Sequence, residues 1–137
     1  VNGLLLDTCA LIWSADNSRP VLALRSILEQ AWHEDQIIAV SPMSAWEIGT
    51  LAAKGRMALG MSPLVWFETV VLRGRLRVDT LTAGVLVAST TLPDLDHRDP
   101  IDRIIIATAR ELGYRIVTRD RAILDYAEKG HVMALAC

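Results

Sequence analysis

Four carboxylates occupy positions from which a protein can handle a divalent cation: Asp7, Glu47, Asp102 and Asp120. Asp7 follows the apolar run Leu4-Leu5-Leu6, and Asp120 follows Ile116-Val117-Thr118-Arg119. If both runs are strands of a parallel sheet, both acids emerge at its carboxyl edge, where open α/β sheets bind ligands. Glu47 comes after Ile37-Ile38-Ala39-Val40 and Asp102 after Asp99-Pro100, and each is expected in the first turn of a helix that starts at that edge. Two unit charges about 4 Å apart repel by roughly 4 kcal/mol at an effective dielectric of about 20, so clustered carboxylates must take up protons, pair with cations or bind metal. A hard ion such as Mg²⁺ takes carboxylate oxygens, keeps several waters, and can orient a phosphate while acidifying an attacking water. Mn²⁺ suits the same ligands. His33, His97 and His131 are scattered, and with Cys9 and Cys137 they make no zinc-like spacing.

Each acid also has a purely structural explanation. Ser44-Ala45-Trp46-Glu47 fits a capping box, in which Glu47 returns a hydrogen bond to the helix start. Asp99-Pro100-Ile101-Asp102 fits an N-cap, a proline at the first helical position and an acid favoured by the helix dipole. Asp7, between two apolar segments, must be hydrogen-bonded, capping or ligating. Asp120 alone reads as a turn residue. Their joint placement at one edge is what argues for a site.

The neighbours of these acids allow two readings as well. Arg98, Arg103, Arg119 and Arg121 suit bidentate phosphate contacts, or they balance the acids' charge. Thr8 and Ser44 are placed to hydrogen-bond metal-bound waters or to cap helices. His97, beside Arg98 and Asp99, reads as a turn residue rather than a catalytic base. The cluster Arg73-Gly74-Arg75-Leu76-Arg77 reads as a solvated edge or a grip on RNA. Trp13, Trp32, Trp46 and Trp66 are read as core or interface, with base stacking the lesser alternative.

The elements that must position these residues follow from periodicity. Leu4–Leu6, Ile37–Val40, Leu76–Val78, Arg115–Thr118 and Val132–Leu135 have the length and branching of buried strands. Val21, Leu24, Ile27, Leu28 and Ala31 mark a helix that Pro20 is expected to start, and Ser62-Pro63 opens another through Val71. Ile101, Ile104, Ile105 and Leu112 mark a third, ended by Gly113 and apolar on a second face at Ile106 and Ala109. Such alternation predicts a doubly wound parallel sheet with helices on both faces.

The chain has 137 residues, 52% of them hydrophobic and 22% charged, with no repeat or linker, so a single domain over 1–137 is expected. The longest uncharged stretch, Thr80 to Pro93, is 14 residues and too short to span a membrane. A net charge of -2 argues against a protein that coats nucleic acid through phosphate contacts alone. Without a secretory signal or a cysteine framework, a reducing cytoplasm is the expected setting.

Leu5-Leu6-Asp7-Thr8, Ser44-Ala45-Trp46-Glu47-Ile48, His97-Arg98-Asp99-Pro100-Ile101-Asp102-Arg103 and Thr118-Arg119-Asp120, in that order, resemble the PIN-domain family. The likeness is greatest to its small VapC-like group and runs from Leu4 to Leu135. The resemblance implies a three-layer α/β/α fold around a central parallel sheet, with Asp7, Glu47, Asp102 and Asp120 as the metal site and Asp99 as an outer acid or only a cap. It further implies Mg²⁺- or Mn²⁺-dependent endonucleolytic cleavage of RNA; Thr8, Ser44, Arg98, Arg103 and Arg119 are expected toward the substrate from their own placement beside the acids. As partners it implies a second copy of the chain and a VapB-like antitoxin. Against it stand a phosphoaspartyl-type phosphatase, which the absence of a second acid two residues after Asp7 disfavours, a PIN nuclease in nucleic-acid maturation, and a non-catalytic binding module.

Overall fold

Short runs of Leu, Ile and Val form the strands that the sequence predicts. The computed structural model describes residues 3–137, so the first two residues of the expected 1–137 unit lie outside the described residues. In chain order the elements are β1 (Gly3–Leu6), α1 (Thr8–Ala15), α2 (Leu22–His33), β2 (Ile37–Val40), α3 (Pro42–Ala53), α4 (Pro63–Arg73) and β3 (Arg77–Val78). They continue with α5 (Ala83–Ala88), a 3₁₀ turn at Ser89–Thr91, α6 (Pro100–Leu112), β4 (Tyr114–Thr118), α7 (Arg121–Glu128) and β5 (Met133–Ala136).

The five strands form one parallel sheet in the order β3-β2-β1-β4-β5. Leu4 and Leu6 face α1 to α4 and pack with Leu11, Leu28, Ile48 and Phe67. Leu5 and Ile116 face the other way, against Ile101, Ile105, Ile106 and Ile123 of α6 and α7. The result is the α/β/α sandwich the sequence predicts. The chain runs from β1 to β2 on one side and later returns to lay β4 on the other, so the order reverses at β1. Leu6 is level with Val40 and Val117, which brings the carboxyl ends of the three central strands to one line.

Several boundaries differ from the sequence reading. Helix α2 starts at Leu22 rather than at Pro20, because Ser18 is drawn into a turn with Asp16, its N–H and hydroxyl both bonding Asp16 Oδ1 (3.0 and 2.6 Å). Helix α3 begins one turn before the predicted capping box: Ser41 is the cap, accepting from Met43 N–H at 3.1 Å, and Pro42 takes the first turn, where its missing N–H costs nothing. Strand β3 shrinks to Arg77–Val78, and β5 begins at Met133 rather than Val132. Two predicted boundaries hold as read: Ser62 caps α4, and Gly113 closes α6 at φ 75°, a left-handed conformation that glycine adopts freely.

Tyr114 fixes the amino-terminal end of the sheet. Its ring lies across Gly3, and its hydroxyl accepts from Arg77, which also holds Asp79 at 2.8 Å. A Cβ on Gly3 would stand 2.8 Å from Tyr114 Cε1, inside the contact distance of a buried ring. Gly3→Ala is therefore expected to destabilise the fold by about 1–3 kcal/mol through overpacking. Urea unfolding of the two proteins checks this, and equal midpoints would refute it.

Candidate metal centre

Asp7 leaves β1 where the order of the strands reverses, its N–H still donating to the Val117 carbonyl at 3.2 Å. The residue is buried and both carboxylate oxygens are engaged. Oδ1 accepts from Ala10 N–H at 2.8 Å, capping α1, and Oδ2 accepts from the Thr118 hydroxyl. Thr118 is fully buried, and its hydroxyl oxygen accepts in turn from the Asp120 N–H at 2.9 Å. One hydroxyl thus ties the end of β1 to the turn that carries Asp120. Asp120 itself caps α7, with Oδ1 accepting from Ile123 N–H at 3.1 Å.

Asp102 stands in the first turn of α6, as predicted, behind the cap Asp99, whose Oδ1 accepts from the N–H groups of Ile101 (2.9 Å) and Asp102 (3.2 Å). Asp102 Oδ2 meets His97 Nε2 at 2.7 Å. The potential ligand atoms of His97, Asp102 and Asp120 all lie within 4.8 Å of one another.

Glu47 reaches the same edge by a different route. With α3 starting at Pro42, Glu47 lies in the second turn, not the first, and has no capping-box role. Ser44, freed from capping, pairs its hydroxyl with that of Thr8 at 2.9 Å, and both residues are buried. This clasp joins the residue after Asp7 to the residue one turn before Glu47. The Cys9 thiol, on the first turn of α1, senses all four acids. Burial, together with the negative charges of Asp7, Glu47, Asp102 and Asp120, pushes it up to about 11.

Two of these acids, Asp7 and Asp102, are held against their ionised forms. Burial raises Asp7 above the usual carboxylate range, the Thr118 and Ala10 hydrogen bonds pull it back, and the charge of Asp120 pushes it up again. Burial raises Asp102 to about 6, with Asp99 and Asp120 adding to the rise and the His97 hydrogen bond opposing it. Converging oxygen donors with residual proton affinity suit a hard divalent cation, so the residues present fit Mg²⁺ or Mn²⁺. A surface concavity of about 980 Å³ along α7 and β5 holds none of these acids.

The arginines divide. Arg103 turns inward, donating from Nε to the Ser89 carbonyl (2.8 Å) and from a terminal nitrogen to the carbonyls of Leu95 (3.2 Å) and His97 (2.9 Å). That use places it in the scaffold of the loop before α6 rather than toward a ligand. Arg119 stacks over Trp13 at 4.4 Å and donates to the Cys137 carbonyl at 2.9 Å, while Arg121 pairs with Asp125 and Glu128. Arg98 is exposed between His97 and Asp99.

Two residues of the centre have no site role in the sequence reading, Thr118 and His97. Thr118 carried a signal: it is the last inward-facing position of a buried strand, where a hydroxyl needs a partner. His97, read from sequence as a turn residue, joins the centre through a contact with Asp102 that spans a helix cap and follows no period.

A model of the PIN domain family matches residues 4–129. The chain is 36% identical to "Ribonuclease VapC22" of Mycobacterium tuberculosis (strain ATCC 25618 / H37Rv) over 123 residues, 89% of this chain and 90% of that protein. Among solved structures it resembles a chain of VapBC2 from Rickettsia felis, solved bound to a promoter DNA fragment, at a TM-score of 0.73 and 13% identity, covering 99% of this chain and 98% of that one. FitAcB from Neisseria gonorrhoeae is similar at a TM-score of 0.59 and 19% identity, with 96% of each chain covered.

Two outcomes follow from the hydrogen bonds and charges. Thr118→Val strips a partner from Asp7 Oδ2 and another from the Asp120 N–H, and is expected to cost about 1–3 kcal/mol and to raise the Asp7 carboxyl further. Urea unfolding and an NMR titration of that carboxyl read the two effects. Asp102, at about 6 in the fold against 3.8 ordinarily, binds more proton in the native state between those values. In chelator, its contribution therefore makes stability fall as pH rises from about 4 to about 6, and the cost is fully present above that. Asp102→Asn should remove it and stabilise the metal-free chain at pH 7.5 by up to about 2 kcal/mol; an unchanged or lower urea midpoint would contradict this.

Proposed function

The chain belongs to the PIN-domain family, and from that premise we propose that it is a Mg²⁺- or Mn²⁺-dependent endoribonuclease, the toxin half of a VapBC-type toxin–antitoxin pair. The observation that carries this reading is the convergence of Asp7, Asp102 and Asp120, with Glu47 close by, at the carboxyl edge where the strand order reverses. A divalent cation bound there would polarise the scissile phosphate and acidify the attacking water. The chain's own residues do the positioning. Thr118 sets the spacing of Asp7 and Asp120, the Thr8–Ser44 clasp sets that of α1 and α3, and Arg103 holds the loop that presents His97. Arg98 and Arg119, exposed beside the acids in sequence, provide positive charge for flanking phosphates.

The partner reading is supported by the naming of the 36% identical relative as a VapC protein. A groove between α2 and α4, lined by Leu28, Trp32, Met61, Trp66 and Val70, offers an antitoxin segment an apolar seat. A basic side chain from that segment would take the place of metal charge among the acids. Exposed Trp46, Leu86 and Val87 leave apolar surface for a second copy. No helix among the described residues is long and apolar enough to cross a membrane, and the cytoplasm is the compartment we propose.

The direct test is total cellular RNA incubated with the purified chain in Mg²⁺, beside the same reaction in EDTA and beside Asp102→Asn. Discrete fragments are expected from the wild type alone, with the variant slower by at least about 100-fold. Cleavage that continues in EDTA or in folded Asp102→Asn would remove the metal-nuclease reading.

A further inference from the structure

We infer that His97 is a nitrogen ligand of this same centre and biases it toward a first-row transition cation such as Mn²⁺ over Mg²⁺. The inference rests on the metal-nuclease reading and adds to the acids a residue of different chemistry. Its geometric basis is the trio His97, Asp102 and Asp120, whose ligand atoms lie within 4.8 Å of one another, with Nε2 of His97 2.7 Å from Asp102 Oδ2.

Taken as a hydrogen bond alone, that contact would make His97 a brace for Asp102. The way the ring is mounted points further. Arg103, the residue after Asp102, donates to the His97 carbonyl at 2.9 Å and to the carbonyls of Leu95 and Ser89 at 3.2 and 2.8 Å. One long side chain is thereby immobilised to fix the backbone at the histidine and on both sides of the turn leading to it, an ordering cost that an ordinary solvent-facing turn has no reason to bear. Consecutive residues of α6 so hold His97 twice, Arg103 by its backbone and Asp102 by its ring. The imidazole is presented to the acids at a fixed position, as preorganised ligation requires.

Little movement is needed to convert the contact. Neighbouring ligand atoms at an octahedral ion with bonds of about 2.1 Å stand about 3.0 Å apart, a few tenths of an ångström more than Nε2 and Oδ2 are now. On coordination the Nε2 lone pair goes to the metal and the ring's proton resides on Nδ1. Carboxylates serve Mg²⁺ and Mn²⁺ alike, whereas imidazole favours transition ions. The acids therefore account for binding a divalent cation, and His97 accounts for choosing among them.

Pulsed electron paramagnetic resonance of Mn²⁺ bound to the full chain tests this, with a Mn²⁺ titration in competing Mg²⁺ beside it. The wild type is expected to show the ¹⁴N coupling of a directly bound imidazole. His97→Gln should lose that coupling, His33→Gln and His131→Gln should keep it, and the Mn²⁺-over-Mg²⁺ preference should drop at least about tenfold in His97→Gln. Bound Mn²⁺ without imidazole coupling in the wild type, or coupling that survives His97→Gln, overturns the inference while leaving the acidic metal site standing. No binding of either ion by the wild type overturns both. The wild-type spectrum decides even if His97→Gln does not fold.

Discussion

The carboxyl ends of β1 and β4 lie side by side, and each strand is followed by an acid of the candidate site, so the fold has to hold like charges together at the place where its sheet opens. The Thr118 hydroxyl meets that constraint. It donates to Asp7 and accepts from the Asp120 backbone, so a single buried group stabilises one carboxylate and anchors the turn that carries the other. The donor to Thr118 and the acceptor from it polarise the hydroxyl in the same direction, which strengthens both bonds in a buried setting. A hydrophobic residue in its place would leave Asp7 buried and short of a partner, at the costliest location for an unsatisfied charge.

Capping and ligation are not rival explanations here. Asp7, Asp99 and Asp120 each cap a helix through Oδ1, and a cap uses one carboxylate oxygen of two. The amino-terminal ends of α1, α6 and α7 meet at the same edge, so their partial positive charge offsets part of the repulsion among the acids. Asp99 differs from the others in being exposed, and it acts on Asp102 through its charge, which makes it a cap first.

The sandwich, its parallel sheet and the edge shared by the acids could be read from period and from strand-end position, because burial on both faces leaves runs such as Leu4–Leu6 with no polar residue. The start of α3 could not be read that way. Ser41-Pro42 and Ser44 are both acceptable starts, and local rules do not reveal that Thr8, 36 residues earlier, claims the Ser44 hydroxyl. The role of Arg103 could not be read for a similar reason. An arginine beside an acid suggests a phosphate grip, and only the folded loop supplies the three carbonyls that take its donors.

That diversion of arginine has an electrostatic consequence. With a net charge of -2 and Arg103 directing donors to backbone carbonyls, the clustered acids on their own repel a polyanion. A bound divalent cation cancels part of that negative charge, so metal and phosphate binding are coupled by charge, each raising the affinity for the other. The same field attracts any protein segment that carries a basic side chain. Such a segment would supply the missing charge without supplying an electrophile, and it would need no change in the fold to switch the site off. An acidic centre built on burial and hydrogen bonds, rather than on internal ion pairs, is therefore suited both to being activated by a metal and to being silenced by a protein partner.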